Sequence, residues 1–194
     1  MFKKVIYCII NFIGKKIYSD KYVNDTFFEK YKDIGSKWIF EGIKHQKIFG
    51  RKNCSAAWPV SRFQTLVNPK NIIFDPEDVY IFQNPGLYIQ ANGKVKIGKG
   101  SYIGPNTGIV SSNHNIYNLD KHDEPKEVII GRECWIGMNC SVLPGVVLGD
   151  RTIVGAGSVV TKSFEEGYCI IAGNPAKVIR TLDKDDFEKE FKYY

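Results

Sequence analysis

The chain has 194 residues, of which 43% are hydrophobic and 25% are charged, and its formal net charge is +6. This length suits one core and is short for two full domains, and the composition excludes a disordered chain. The charge is uneven, since residues 1–52 hold 12 Lys or Arg against 5 Asp or Glu and residues 53–194 hold 15 against 16. A basic segment of this kind indicates binding to an acidic polymer, binding to an anionic membrane surface, or nothing beyond solubility. We predict no nucleic-acid partner.

The apolar run from Val5 to Ile13 near the N-terminus is too short to span a bilayer, which takes about 20 residues. We interpret it first as a packing or trimer-contact helix. The second interpretation is a peripheral helix on the inner face of a membrane, with its lysines toward the lipid headgroups. A second helix is predicted over residues 24–35, with Asn24 or Asp25 as its N-cap and Gly35 as its end. Residues 1–67 are therefore assigned to a helical and irregular N-terminal segment.

The cysteines are odd in number and include no CxxC pair, which argues against a disulfide framework and against a structural zinc site. They favour a reducing compartment, so we predict a cytoplasmic protein without a metal. The set is Cys8, Cys54, Cys134, Cys140 and Cys169.

An aliphatic residue recurs at every sixth position in the second half of the chain, and glycine often follows it. A helix would space its apolar residues by three and four, and a half-buried strand would alternate them. A period of six is typical of short strands joined by tight turns, three to a triangular coil, in a parallel β-helix. Glycine is expected where the backbone bends. The aliphatic positions are Ile97, Ile103, Ile109, Ile130, Ile136, Val142, Leu148, Val154 and Val160.

We assign the β-helix to residues 68–180 and expect residues 68–86 to form an irregular first coil. Residues 181–194 have the composition of a polar C-terminal helix. The small residues at the fourth position of each hexad, among them Cys134 and Cys140, are predicted to be core residues rather than nucleophiles. The fold class is therefore mainly β.

The pattern breaks after Ile109 and resumes at Ile130. His114 completes the hexad that begins at Ile109, so it occupies a fixed corner of the β-helix. Residues 115–127 are predicted to form an extruded loop that carries His122. A histidine held at a rigid corner can act as a general base near neutral pH.

The ordered string VIIGRECWIGMNCSVLPGVVLGDRTIVGAGSVVTKS, followed by IAGNPAKVIR and preceded by the Asn-His pair at His114, resembles the hexapeptide-repeat acyltransferases. Within that family it is most similar to the galactoside, maltose and capsular-polysaccharide O-acetyltransferases. The resemblance covers roughly residues 68–181. It implies a left-handed β-helix, a homotrimer with active sites between subunits, and transfer of acetyl from acetyl-CoA to a saccharide hydroxyl in polysaccharide biosynthesis.

The resemblance also assigns roles to particular residues. His114 corresponds to the general base and Asn84 to an asparagine that helps to stabilise the oxyanion, although Asn84 is equally well explained as a turn residue. A loop carboxylate that orients the histidine is implied, and Asp120, Asp123 and Glu124 are all candidates. The residues implied for the CoA channel are Trp135, Gly137, Ala156, Thr161, Lys162, Lys177 and Arg180.

Three other functions compete with this one. The first is N-acetylation of an amino sugar, free or nucleotide-linked, by the same fold and base. The second is a zinc enzyme of the γ-carbonic anhydrase type, which needs three converging histidines. It is rejected because His45 lies outside the repeats. The third is a non-catalytic scaffold. The acceptor, the role of residues 1–60 and the acid partner of His114 stay open.

Overall fold

A computed structural model describes residues 2–50 and 55–190. Cys54 and the last residues of the predicted C-terminal helix, 191–194, therefore lie outside the described residues. The N-terminal part is helical, with α1 at Phe2–Ile17, α2 at Asp25–Gly42 and a π-helical turn at Ile43–Ile48. A short helix, α3, follows the strands at Lys184–Glu190.

The first parallel ladder, sheet A, contains β1 (Thr65–Val67), β3 (Tyr88–Gln90), β6 (Gly108–Val110), β11 (Ser141–Val142) and β14 (Val159–Val160). Sheet B contains β2 (Ile72–Phe74), β4 (Val95–Ile97), β9 (Val128–Ile130) and β12 (Val147–Leu148). Sheet C contains β5 (Tyr102–Ile103), β10 (Trp135–Ile136), β13 (Thr152–Val154), β15 (Cys169–Gly173) and β16 (Ala176–Thr181). Because the chain visits A, B and C in turn, the sheets form the three faces of a parallel β-helix.

The six-residue period is confirmed by the pairing of the strands. Ile109 pairs with Val142 and Val142 with Val160, so one aliphatic residue lies above the next on sheet A. Ile130 and Leu148 do the same on sheet B. All nine aliphatic residues of the period are buried. Stacked aliphatic side chains therefore make a continuous core along the axis.

The glycines that follow the aliphatic residues lie where a Cβ would clash with the next coil. A Cβ on Gly98 would lie 2.4 Å from the backbone of Gly131, and one on Gly131 would lie 2.6 Å from the amide nitrogen of Asp150. Neither glycine has a positive φ, whereas the non-glycine residues Asn139 and Arg151 do, at 57° and 55°. These glycines lie at the turns, as expected, and they are required because neighbouring coils approach too closely for a Cβ rather than because of a positive φ.

Two boundaries differ from those expected. The parallel ladder begins at Thr65, which pairs with Tyr88, rather than at residue 68. The helix predicted to end at Gly35 is followed to Gly42 across a kink at Lys32, and Asn24 is confirmed as the N-cap of α2 because its side chain accepts from the Phe27 amide. Gly35 is buried, and a Cβ there would lie 2.8 Å from the Phe27 ring. Gly35 therefore serves helix packing and does not stop the helix.

An aromatic cluster joins the N-terminal helices to the first coil. Tyr22 stacks on Phe74 at 4.9 Å, Trp58 lies 4.9 Å from Phe74, and Phe74 lies 4.6 Å from Phe82. All four side chains are buried. The cluster covers the open end of the stacked core, which an uncapped coil would expose to water.

Candidate active site

The turns between the sheets form three edges of the β-helix, and each carries different residues. The A–B edge carries Ser111 and Ser112 after β6. The B–C edge carries Arg132 after β9, and the C–A edge carries Gly137 after β10. Each face is roughly six residues wide, or at most about 20 Å, so side chains on different edges of one chain are well separated.

The inserted hairpin, residues 113–126, leaves and rejoins the β-helix at the A–B edge. Its strands are β7 (His114–Asn115) and β8 (Asn118–His122), which pair antiparallel. The Asn115 side chain accepts from the amides of Tyr117 and Asn118, at 3.0 Å each, and closes the turn between the strands.

Two buried serines anchor the base of the inserted hairpin. The Ser111 hydroxyl donates to the Gln90 carbonyl at 2.7 Å and accepts from the Gly93 amide at 2.9 Å. The Lys126 amide donates to the Ser111 carbonyl at 2.7 Å, so the same residue fixes the returning strand. Ser112 is only 5% exposed and lies within 3.1 Å of the Gln90 side chain. The chain therefore enters the hairpin from a rigid point.

The imidazole of His114 is oriented by a backbone oxygen. Its Nδ1 lies 2.7 Å from the Leu119 carbonyl across the hairpin. A carbonyl can only accept a hydrogen bond, so Nδ1 carries the proton and Nε2 keeps its lone pair. The His122 ring meets the His114 ring edge to face, with 4.3 Å between centroids. Nε2 of His114 is thus left as the basic nitrogen on an exposed side chain.

The Leu119 carbonyl oxygen lies next to Nδ1 of His114, where an acidic side chain was expected. The Asp123 carboxylate accepts from the Asn115 side chain at 3.1 Å, and this contact braces the hairpin. The Asp120 amide donates to the Asn118 side chain at 3.1 Å. Glu124 is exposed in the segment that follows β8. The hairpin register places the Leu119 carbonyl against Nδ1 in this chain, and a carboxylate partner of His114 stays a prediction.

The other predicted site residues divide between two edges. Thr161 and Lys162 follow β14 and lie on the A–B edge, as His114 does, and both are exposed. The remaining positions belong to sheet C, to β16 or to the C–A edge: Asn84, Trp135, Gly137, Ala156, Lys177 and Arg180. One chain alone therefore does not bring the whole predicted set together.

The residues at the C–A edge differ in exposure and contacts. The Asn84 amide donates to the Ile103 carbonyl at 2.8 Å, a bond between coils that fits its interpretation as a turn residue. Trp135 is 57% exposed on the outer face of sheet C. Strands β13 and β15 lie between β10 and β16, and their pairing places Trp135 and Arg180 in one row across the sheet. A Cβ on Gly137 would lie 2.6 Å from the Ala156 amide nitrogen, so only the backbone fits there.

Burial removes the cysteines of the repeat from consideration as nucleophiles. Cys134 and Cys140 are each 1% exposed, and their thiols donate to the carbonyls of Gly149 and Gly155 in the next coil. Burial raises the pKa of Cys134 to about 11 and also raises that of Cys140. Both thiols therefore stay protonated near neutral pH, as the sequence-based assignment to the core expected.

Sequence reasoning missed two partners of His114, the Leu119 carbonyl and the His122 ring. The available signal was the pair of asparagines at Asn115 and Asn118, which indicates a tight turn and hence a hairpin. A hairpin closed there pairs His114 with His122 across its two strands.

Comparison with known proteins supports the repeat. The family model described as bacterial transferase hexapeptide (six repeats) matches residues 127–162. The Saccharomyces cerevisiae protein YJL218W, whose name places it provisionally among the acetyltransferases, is 35% identical over 130 residues, 60% of this chain and 66% of that protein. The Escherichia coli K12 galactoside O-acetyltransferase is 34% identical over 116 residues, 58% of this chain and 57% of that enzyme. The chain thus spans less than two thirds of both relatives.

A solved structure of galactoside acetyltransferase in complex with coenzyme A agrees with the fold. It is 24% identical, superposes with a TM-score of 0.52, and the match covers 84% of this chain and 86% of that one. At this identity the likeness concerns the fold alone. The chain therefore carries a bacterial transferase hexapeptide repeat at residues 127–162 within a parallel β-helix, and the curated relatives described above carry acetyltransferase names.

Proposed function

We propose that the protein is an acetyl-CoA-dependent O-acetyltransferase that acts on a hydroxyl of a saccharide, such as a cell-surface or capsular glycan or its precursor. The observation that carries this proposal is the bond from His114 Nδ1 to the Leu119 carbonyl. It leaves Nε2 as a base on a hairpin that is anchored at the A–B edge. The hexapeptide repeat and the acetyltransferase names of the relatives support the same reaction class.

A sugar hydroxyl is a weak nucleophile near neutral pH, so its proton must be removed as it attacks. Acetyl-CoA supplies an activated thioester carbonyl. His114 Nε2 accepts the hydroxyl proton while the oxygen bonds to the acetyl carbon, and the imidazolium then gives that proton to the departing thiolate. The Leu119 carbonyl keeps Nδ1 protonated throughout and stabilises the imidazolium, since a positive donor makes the stronger hydrogen bond. General-base catalysis of this kind is worth about 10²–10⁴-fold in rate.

The residues of the C–A edge and β16 suit the donor substrate. Lys177 and Arg180 are exposed cations on β16, placed to meet the phosphates of CoA. Gly137 and Ala156 present little side chain, so the pantetheine arm can approach the backbone. Asn84 lies on the same edge, and its assignment as an oxyanion donor belongs to this proposal.

The division of these residues between two edges favours a site shared by two subunits. We propose that the A–B edge of one subunit, with His114, Thr161 and Lys162, faces the C–A edge of its neighbour in a homotrimer. A cyclic trimer repeats that heterologous contact until the ring closes. The chain would act in the cytoplasm, where its free buried thiols stay reduced.

The test measures turnover of acetyl-CoA through the release of free thiol, with a panel of saccharides as acceptors. We expect His114→Ala to lower the rate about 10²–10⁴-fold while CoA binding is retained. His45→Gln is the matched control, since His45 pairs with Glu41 outside the repeats and should leave the rate unchanged. Turnover of His114→Ala at the wild-type rate would overturn the mechanism.

Product analysis then distinguishes the alternatives. An acetyl ester is lost in mild alkali and an acetamide is retained, so alkali-stable product would indicate N-acetylation of an amino sugar. If the wild type released no thiol with any acceptor, a scaffold role would be favoured. A mass increase of one acetyl group on a glycan would identify the acceptor.

A further inference from the structure

One side of helix α1 is packed and the opposite side is exposed, and the β-helix does not explain this difference. One side packs on α2: the Ser36 hydroxyl donates to the Asn11 side chain at 2.8 Å, and a Cβ on Gly14 would lie 2.7 Å from Ile39. Tyr18, just after the helix, is buried and donates to Gln46 at 2.9 Å. The contact with α2 therefore uses only this inner side.

The opposite side of α1 is apolar and exposed. Successive residues of a helix are about 100° apart, so Ile9 lies about 200° from Asn11, and Phe12 lies about 200° from Gly14. Ile9 is 54% exposed and Phe12 is 66% exposed. Other large apolar side chains of α1 share this exposure, and together they define the outer face of α1: Val5, Ile6, Ile9, Phe12 and Ile13.

The charge of α1 is entirely positive. Its sequence, FKKVIYCIINFIGKKI, has two lysines at the start, two near the end and no acidic residue. The Lys16 ammonium lies 5.9 Å from the centre of the Phe12 ring, so its aliphatic stem follows the apolar face. A second copy of this face would bring like charges together, whereas anionic headgroups would complement them.

We propose that the outer face of α1 binds the surface of an anionic lipid bilayer, with the helix lying in the plane of the interface. An amphipathic helix with an apolar face and lysines at its ends gains both apolar burial and electrostatic attraction at such a surface. Among the described residues, no helix has both the length and the apolar composition that crossing a membrane requires, and this placement needs none. The inference is independent of the proposed function, because binding requires no turnover.

Flotation of the full-length chain with vesicles tests the proposal. We expect binding to vesicles of phosphatidylcholine with phosphatidylglycerol, and weaker binding at high salt or to phosphatidylcholine alone. Phe12→Asp should lower the partition coefficient about tenfold or more, because it places a charge at the centre of the apolar face. Phe63→Asp is the matched control, since Phe63 is 60% exposed but lies outside α1.

The charge is tested separately with Lys4→Gln/Lys16→Gln, which should weaken binding to anionic vesicles roughly tenfold. Lys70→Gln/Lys94→Gln makes the same change in net charge on other exposed lysines and should have little effect. Equal losses for Phe12→Asp and Phe63→Asp would overturn the proposal. So would a Phe12→Asp variant that changes oligomeric state in sedimentation without changing vesicle binding. Saccharide acetylation in free solution should be unaltered by Phe12→Asp, so a failure here leaves the proposed function standing.

Discussion

At the scale of single residues, the orientation of His114 depends on two groups of the inserted hairpin. The Leu119 carbonyl fixes the proton on Nδ1, and the His122 ring packs edge to face against the imidazole at 4.3 Å. An aromatic contact of this geometry stabilises by about 0.5–1.5 kcal/mol beyond the area it buries. We therefore propose that His122, which the sequence placed on the extruded loop, is a positioning residue for His114.

Substitution of His122 tests this role. His122→Ala should lower kcat about tenfold with little change in KM for acetyl-CoA, because the imidazole loses its packing partner and samples unproductive orientations. His122→Phe retains an aromatic ring and should restore most of kcat. Steady-state kinetics of both variants test this role. An equal loss of kcat in the two would show that the ring contact does not orient His114.

The position of His114 could be predicted from the sequence and its orientation could not. The hexad that starts at Ile109 fixes where the chain leaves the β-helix, since the aliphatic residue must stay in the core. The acceptor on Nδ1 is a main-chain oxygen, which every residue type carries, so no side chain at position 119 reveals it. Reasoning from residue types considers only side chains, and it therefore favoured a carboxylate as the acceptor on Nδ1.

At the scale of the element, each hexad has two constraints of different origin. The aliphatic residue fills the core, and this could be predicted because burial selects the residue type. The glycine after it is needed because the next coil lies too close for a Cβ, as at Gly98 and Gly131. That spacing is a property of stacked coils and cannot be deduced from one coil alone.

A pair of alanine substitutions separates close packing from general glycine effects. Gly98→Ala should destabilise the fold by about 1–3 kcal/mol, since its Cβ would meet the backbone of Gly131 at 2.4 Å. Gly108→Ala has nothing within 4 Å of its Cβ and should be neutral or stabilising by about 0.4–1 kcal/mol. Urea unfolding measures both free energies. Equal effects at the two positions would contradict the close-packing argument.

At the scale of the whole molecule, the predicted site residues lie on two edges of the three-sided β-helix. His114 and Lys162 share the A–B edge, while Lys177 and Arg180 lie on β16 beside the C–A edge. The sequence register contains this information, because positions one coil apart fall on the same edge. The resemblance to acetyltransferases gave one list of residues and did not distribute them between subunits.

Co-expression of two differently tagged variants tests the shared site. His114→Ala with Lys177→Glu/Arg180→Glu should recover about a quarter of wild-type activity, since some interfaces then join two intact edges. His114→Ala with Lys162→Glu is the control and should recover none, because both changes affect the same edge. Recovery in neither pair would place the site within one chain, whereas full activity of Lys177→Glu/Arg180→Glu alone would remove Lys177 and Arg180 from it.

The inserted hairpin has one more consequence. It leaves and rejoins at one corner, through Ser111 and Lys126, while Ile109 still pairs with Val142 as if no insertion were present. Lengthening a closed loop is cheap, at about 0.6 kcal/mol for each doubling. The hairpin can therefore change in length and sequence during evolution while the coils keep their stability. Under the proposed function, acceptor preference can diverge at this corner without any change to the stacked core.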